Sequence, residues 1–154
     1  MLPSVVAGAK IYDDLIMDHI KNARNYRVLD DADRSARGVN PLCGDEVSIY
    51  LKIASERIED IAFQCTCCGI SMASASILGE SVMGIATADA KSLLRGVVGM
   101  LDQRTDPATH GADSGQRALL ETVREFPARA RCAMLPWITL EAALENRQQV
   151  EFPR

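Results

Sequence analysis

Gln64-Cys65-Thr66-Cys67-Cys68-Gly69-Ile70-Ser71-Met72-Ala73-Ser74-Ala75-Ser76 is the stretch on which the fold turns. The residues before it alternate, with Ile61 and Phe63 on one face, as a half-buried strand does. The residues after it are small or apolar at helical spacing: Ala73, Ile77 and Ser81 form one stripe, with Ser74, Leu78 and Ile85 beside it. A strand therefore hands over directly to a helix between Cys65 and Ile70. The junction also carries three of the five cysteines within four positions. Sulfur at such a junction lies near the positive end of a helix dipole, which favours negative charge. Charged sulfur is the form that binds metal or attacks another sulfur.

Upstream, Glu46 to Ile53 alternates as well, with Val47, Ile49, Leu51 and Ile53 on one face. Ala54-Ser55-Glu56 is a tight connection, so this segment and Arg57 to Gln64 form a hairpin. Residues 24–41 are polar and read as a surface connection with one short strand around 34–39, closed by Asn40-Pro41. Ile11, Leu15, Ile16, His19 and Ile20 mark an amphipathic helix over roughly residues 8–23. His19 is on or beside its apolar stripe. A hydrogen bond to a neighbour accounts for it, with metal ligation as the rival reading.

Downstream, the helix from Ile70 runs to about Gly84, which caps it. Thr87 reads as a new N-cap with Asp89 in the first turn, and Leu93, Leu94, Val97, Val98 and Leu101 give that helix its buried face. Asp102 to Gly115 is an exposed loop rich in turn residues. A short helix covers Arg117 to Glu125, Phe126-Pro127 breaks it, and a last helix follows. Residues 148–154 are expected to fray.

At 154 residues and 47% hydrophobic content, the chain suits one compact domain with a real core. The net charge of −4 argues against nucleic acid as the main partner. No apolar run is long enough to span a bilayer, and the N-terminus lacks a charged leader, so the expected location is the cytoplasm. Five cysteines in that setting favour metal or redox chemistry over a disulfide framework.

Cys43 stands in the turn Asn40-Pro41-Leu42-Cys43-Gly44-Asp45, and Cys132 near a helix start in Phe126-Pro127-Ala128-Arg129-Ala130-Arg131-Cys132. Neither belongs to a paired zinc-finger spacing, so spacing alone does not establish a metal site. Asp45 can reach the side of Cys43 in extended geometry. Pro136, four residues after Cys132, cannot donate to its carbonyl, so it marks either a first helical turn or a kink.

NPLCGDEV, FQCTCCGISMASAS and FPARARCAMLPW, with the first-helix stretch YDDLIMDHIKNARN, resemble the signatures of the U-type iron–sulfur cluster assembly proteins. This is the family of IscU, SufU and the NifU N-terminal domain, and the likeness spans residues 11–147. The resemblance implies an α+β fold like that of SufE and NifU: a small antiparallel sheet of about three strands packed against several helices. It also implies one domain over residues 1–154 with an insertion of the SufU type around 87–115. The metal ligands it implies are Cys43, Asp45, Cys68 and Cys132, a three-sulfur, one-carboxylate set that suits Zn(II).

Arg131 stands where the IscU-like branch has His, and Glu125-Phe126-Pro127-Ala128-Arg129 stands where that branch has its chaperone-binding stretch. With the insertion, these differences resemble the SufU type. The implied activity is zinc-dependent sulfur transfer. Cys43, released from zinc, would take persulfide sulfur from a SUF-type cysteine desulfurase and pass it toward an iron–sulfur scaffold complex. The alternative is a scaffold that holds a [2Fe–2S] cluster on the same residues. Cys65 and Cys67 depart from the family, which usually has glycine there. Small-residue packing, a sulfur relay, a protective disulfide and alternative ligation all remain open for them.

Overall fold

The computed structural model describes residues 14–104, 106 and 111–152. Along the chain run α1 (residues 14–21), β1 (Arg34–Asn40), β2 (Asp45–Ala54), β3 (Arg57–Thr66), α2 (Gly69–Val82), α3 (Thr87–Leu101), α4 (Ser114–Val123), α5 (Pro127–Leu144) and β4 (Gln149–Glu151). The fold is α+β, with one sheet in the order β3-β2-β1-β4.

β2 and β3 form the antiparallel hairpin that their alternation predicts, and β1, the short strand expected around 34–39, pairs antiparallel with β2. Val47, Ile49 and Leu51 are fully buried, and Ala36 and Phe63 join them on the same face in register with Ile49. Ser55 and Glu56 both take left-handed backbone, with φ of 53° and 60°. This is how a two-residue hairpin loop matches the twist of its strands. The tail expected to fray contains a strand instead. Gln149–Glu151 pairs with β1 in parallel, Gly38 opposite Val150, so the sheet is mixed and has four strands rather than about three. Val150 packs on the core, and the Phe152 N–H donates to the Val39 carbonyl.

α5 is the central helix. It lies against β1 and β2 and also touches α2, α3 and α4. Trp137, Leu135 and Leu140 are among its fully buried side chains. The sheet accepts it so closely because β1 carries Gly38. A Cβ at that position would lie 1.9 Å from Thr139 Oγ1. Gly38→Ala is therefore expected to destabilise the protein by about 1–3 kcal/mol, the usual range for overpacking. A urea titration checks this, and adding Thr139→Ala should recover part of the loss.

The expected helix over 8–23 is seen from residue 14 to 21, and residues 8–13 lie outside the described residues. His19 is buried; its Nδ1 lies 2.7 Å from Ser76 Oγ, and its Nε2 lies 3.5 Å from Glu80. The Ser76 hydroxyl accepts from the Arg24 backbone N–H. The bonding pattern thus assigns Ser76 as donor to Nδ1 and Nε2–H as donor to Glu80. Burial, helped by Arg24 and opposed by Glu80, holds the His19 pKa below its ordinary value. The native state then binds fewer protons than the unfolded chain, and stability falls as pH drops below about 6.5. Denaturant titrations at neutral and mildly acidic pH should show this loss, and His19→Asn should weaken the dependence.

α2 ends as expected near Gly84, which takes a φ of 81° and donates its N–H to the Ile58 carbonyl. Thr87 is not an N-cap: Ala86 holds that place and Thr87 opens α3, its N–H bonded to the Glu56 carbonyl. α4 starts earlier than expected because Asp113 caps it, Oδ1 accepting from the Gln116 N–H at 2.8 Å. The expected loop over 102–115 lies partly outside the described residues. Among the described residues, no helix is long and apolar enough to cross a membrane.

Candidate metal centre

The centre is assembled at the end of the sheet where β1 turns into β2. Asn40 is buried, and its Oδ1 accepts from the Leu42 N–H at 3.0 Å, an Asx turn that starts the loop. Gly44, at a φ of 77°, closes it by donating to the Asn40 carbonyl at 2.8 Å. This turn holds Leu42 and Cys43 out in the open. Asp45 follows as the first residue of β2. It shares the inward face with Val47 and Ile49, so the residue is only 6% exposed.

Cys132 comes from the first half of α5. Pro136 lies inside that helix and has no N–H to give the Cys132 carbonyl. Ser71, in the first turn of α2, fills the gap: its Oγ lies 2.9 Å from that carbonyl and 3.0 Å from Asp45 Oδ2. The single hydroxyl proton thus faces two buried acceptors. One turn on, Ser74 donates to the Ala133 carbonyl and accepts from Trp137 Nε1–H at 2.9 Å. The stretch of α5 before Pro136 is bonded to the serine side of α2, and this fixes where Cys132 stands.

Cys68 is the N-cap residue of α2. Its N–H donates to Asp45 Oδ1 at 3.2 Å, which sets the carboxylate at the positive end of the helix. Its Sγ lies 3.6 Å from Ser71 Oγ. Ligand atoms of Cys43, Asp45 and Cys132 lie within 4.8 Å of one another, with the two sulfurs 3.9 Å apart. The Cys68 sulfur lies outside this close trio, linked to Asp45 through the Ser71 hydroxyl.

Burial pushes the Cys132 thiol well above the ordinary range, and the nearby Cys68 and Cys43 sulfurs and Asp45 carboxylate add to that. Each further negative charge here raises the cost of the next unless a cation offsets them. The donor set fits zinc. A tetrahedral ion with Zn–S bonds of about 2.3 Å places its sulfurs about 3.8 Å apart, close to the 3.9 Å between Cys43 and Cys132.

Ser71 is the residue that sequence reasoning did not single out. Its signal was its place three residues after Cys68, together with a proline that leaves the Cys132 carbonyl unpaired. Ser71→Ala is expected to cost about 1–3 kcal/mol of stability and about 10- to 100-fold in metal affinity. Competition with a chelator of known affinity measures the second effect. Cys65 and Cys67 are joined by a disulfide, with their Cα atoms 5.4 Å apart. Strict strand alternation does not reach Cys67, because β3 ends at Thr66.

Fold and centre together define an α+β domain that gathers cysteines and one carboxylate at a sheet end. The chain belongs to the NifU-like N terminal domain family, which matches residues 11–146. Among its relatives is the zinc-dependent sulfurtransferase SufU of Bacillus subtilis, 34% identical over 90% of this chain and 92% of that protein. The iron–sulfur cluster assembly scaffold protein IscU of Streptococcus pyogenes is 33% identical over 88% of this chain and 84% of that protein. A putative iron–sulfur cluster assembly scaffold protein for the SUF system from Fervidobacterium islandicum superposes with a TM-score of 0.76 and 29% identity. That superposition covers 84% of this chain and 93% of the other.

Proposed function

We propose that this protein is a zinc-dependent sulfur acceptor of iron–sulfur cluster biogenesis, taking persulfide sulfur from a cysteine desulfurase on Cys43. The observation that carries this reading is the 3.9 Å approach of Cys43 and Cys132 beside a buried Asp45. Cys43, Asp45, Cys68 and Cys132 would hold the ion. Bound zinc keeps thiols deprotonated and shielded from oxidation. Cys43 is the ligand built to react, since it sits on an exposed turn while Cys132 is buried and tied through its own carbonyl to Ser71. A cleft of about 620 Å³ opens beside Cys68 and Cys132, lined by Ile16, Met17, Ile20, Ile70 and Arg129 among others. Together with exposed Leu42 it offers a partner an apolar approach to the sulfurs.

The second reading, a [2Fe–2S] scaffold on the same residues, draws on the likeness to IscU proteins. Metal analysis of freshly purified protein separates the two. The acceptor reading expects about one zinc per chain and no visible colour. A brown protein that holds iron and sulfide and passes its cluster to an apo-protein would favour the scaffold.

A further inference from the structure

The Cys65–Cys67 disulfide is left unused by the acceptor reading. Its placement is unlike that of a structural cross-link. It spans one intervening residue, and the stability gained from closing a loop grows with loop length, so this bond contributes little by that route. Cys65 and Cys67 are half-buried against the core, and exposed Thr66 and Cys68 on either side of Cys67 bring the bond to the edge of the surface. Three free thiols, Cys43, Cys68 and Cys132, belong to the same chain, and Cys68 adjoins Cys67 directly. Disulfides that are exposed to thiols are the exchangeable ones. Cys65 itself points to the core side of the sheet opposite Val47, its Sγ 4.0 Å from Met72 Sδ, and so it is anchored while Cys67 lies beyond the end of the strand.

We propose that Cys65 and Cys67 form a dithiol/disulfide couple that reduces sulfane sulfur held on the site thiols and releases it as sulfide. The proposal rests on the acceptor reading above. In the dithiol form, the Cys67 thiolate attacks the terminal sulfur of the persulfide. The bond between that sulfur and the site thiol breaks, and the site thiol leaves as thiolate. The Cys65 thiolate then attacks the inner Cys67 sulfur. The Cys65–Cys67 bond forms and hydrosulfide leaves. Two thiols lose two electrons and two protons. The sulfane sulfur takes both electrons, and the protons go to the hydrosulfide and the site thiolate. An external dithiol, small or protein-borne, then reduces the disulfide and resets the couple.

The test uses the full chain, reduced with a dithiol and desalted without oxygen. Wild type, Cys65→Ser and the Cys65→Ser/Cys67→Ser double variant are treated with one equivalent of glutathione persulfide and desalted again. Free sulfide, alkylatable thiols and intact mass are then followed. Wild type should release about one sulfide per chain and lose alkylation at Cys65 and Cys67 together. Both variants should release less than about a tenth of that; Cys65→Ser should retain the added sulfur on Cys43 or Cys67, and the double variant on Cys43. If the variants retain sulfur but wild type releases none, or keeps Cys65 and Cys67 alkylatable, the couple is refuted and the acceptor reading stands. Sulfide release from the variants equal to that of wild type refutes it as well. If no form takes up sulfur on Cys43, both readings fail.

Discussion

Cys43→Ala is expected to leave the protein folded and to remove sulfur acceptance. The thiol stands on an exposed turn whose shape comes from the Asn40 side chain, the Gly44 backbone and their hydrogen bonds, none of which involves the sulfur. Stability in denaturant should therefore change little in the metal-free protein. Sulfur transfer should fall by roughly two orders of magnitude or more, the scale on which loss of a nucleophile acts. Two measurements check it: the rate of a cysteine desulfurase with and without the variant, and the mass of the acceptor after turnover. A variant that stimulates the desulfurase as well as wild type does would remove Cys43 from the reaction. Its metal affinity should fall too, because one sulfur donor is gone.

The second large effect falls on the scaffold. Trp137 is fully buried in α5, and its Nε1–H bonds to Ser74 Oγ, so it joins the two helices that carry Cys68 and Cys132. Trp137→Ala should cost about 3–5 kcal/mol, from lost burial and the cavity left behind. That is a large part of the 5–15 kcal/mol by which domains are usually stable. Trp137→Phe keeps most of the volume and leaves the Ser74 hydroxyl short of a donor, so a loss of about 1–2 kcal/mol is expected. Zinc should raise the urea midpoint of both variants, because an ion bound only by the native chain draws the equilibrium toward it. Equal losses for the two substitutions would place the weight on the hydrogen bond rather than on packing.

The hairpin was plain in the chain because Val47, Ile49 and Leu51 alternate without interruption and one face is buried throughout. β4 was hidden, since three residues carry almost no periodicity and their pairing depends on a parallel neighbour far away in sequence. Thr87 misled because a good capping residue stood one position inside the helix, where the Glu56 carbonyl takes its N–H. Pro136 was half legible. Its missing N–H announced an unpaired Cys132 carbonyl, but only the packing of α2 on α5 identifies Ser71 as the donor. The chain also carries Asp45 near Cys43. Its burial, however, follows from sheet register, which places it in line with Asn40 at the inward edge. The bond between Cys65 and Cys67 was one of several open readings, because strand alternation stops deciding where side chains point once the strand has ended.

We propose that Cys43, Asp45, Cys68 and Cys132 together hold one zinc ion from which Cys43 can be spared. X-ray absorption at the zinc edge of the purified protein tests it most directly. The expected nearest shell has about three sulfurs at about 2.3 Å and one oxygen at about 2.0–2.2 Å, with one sulfur fewer in Cys43→Ala. A shell without sulfur, or a sulfur count that Cys43→Ala leaves unchanged, would contradict it.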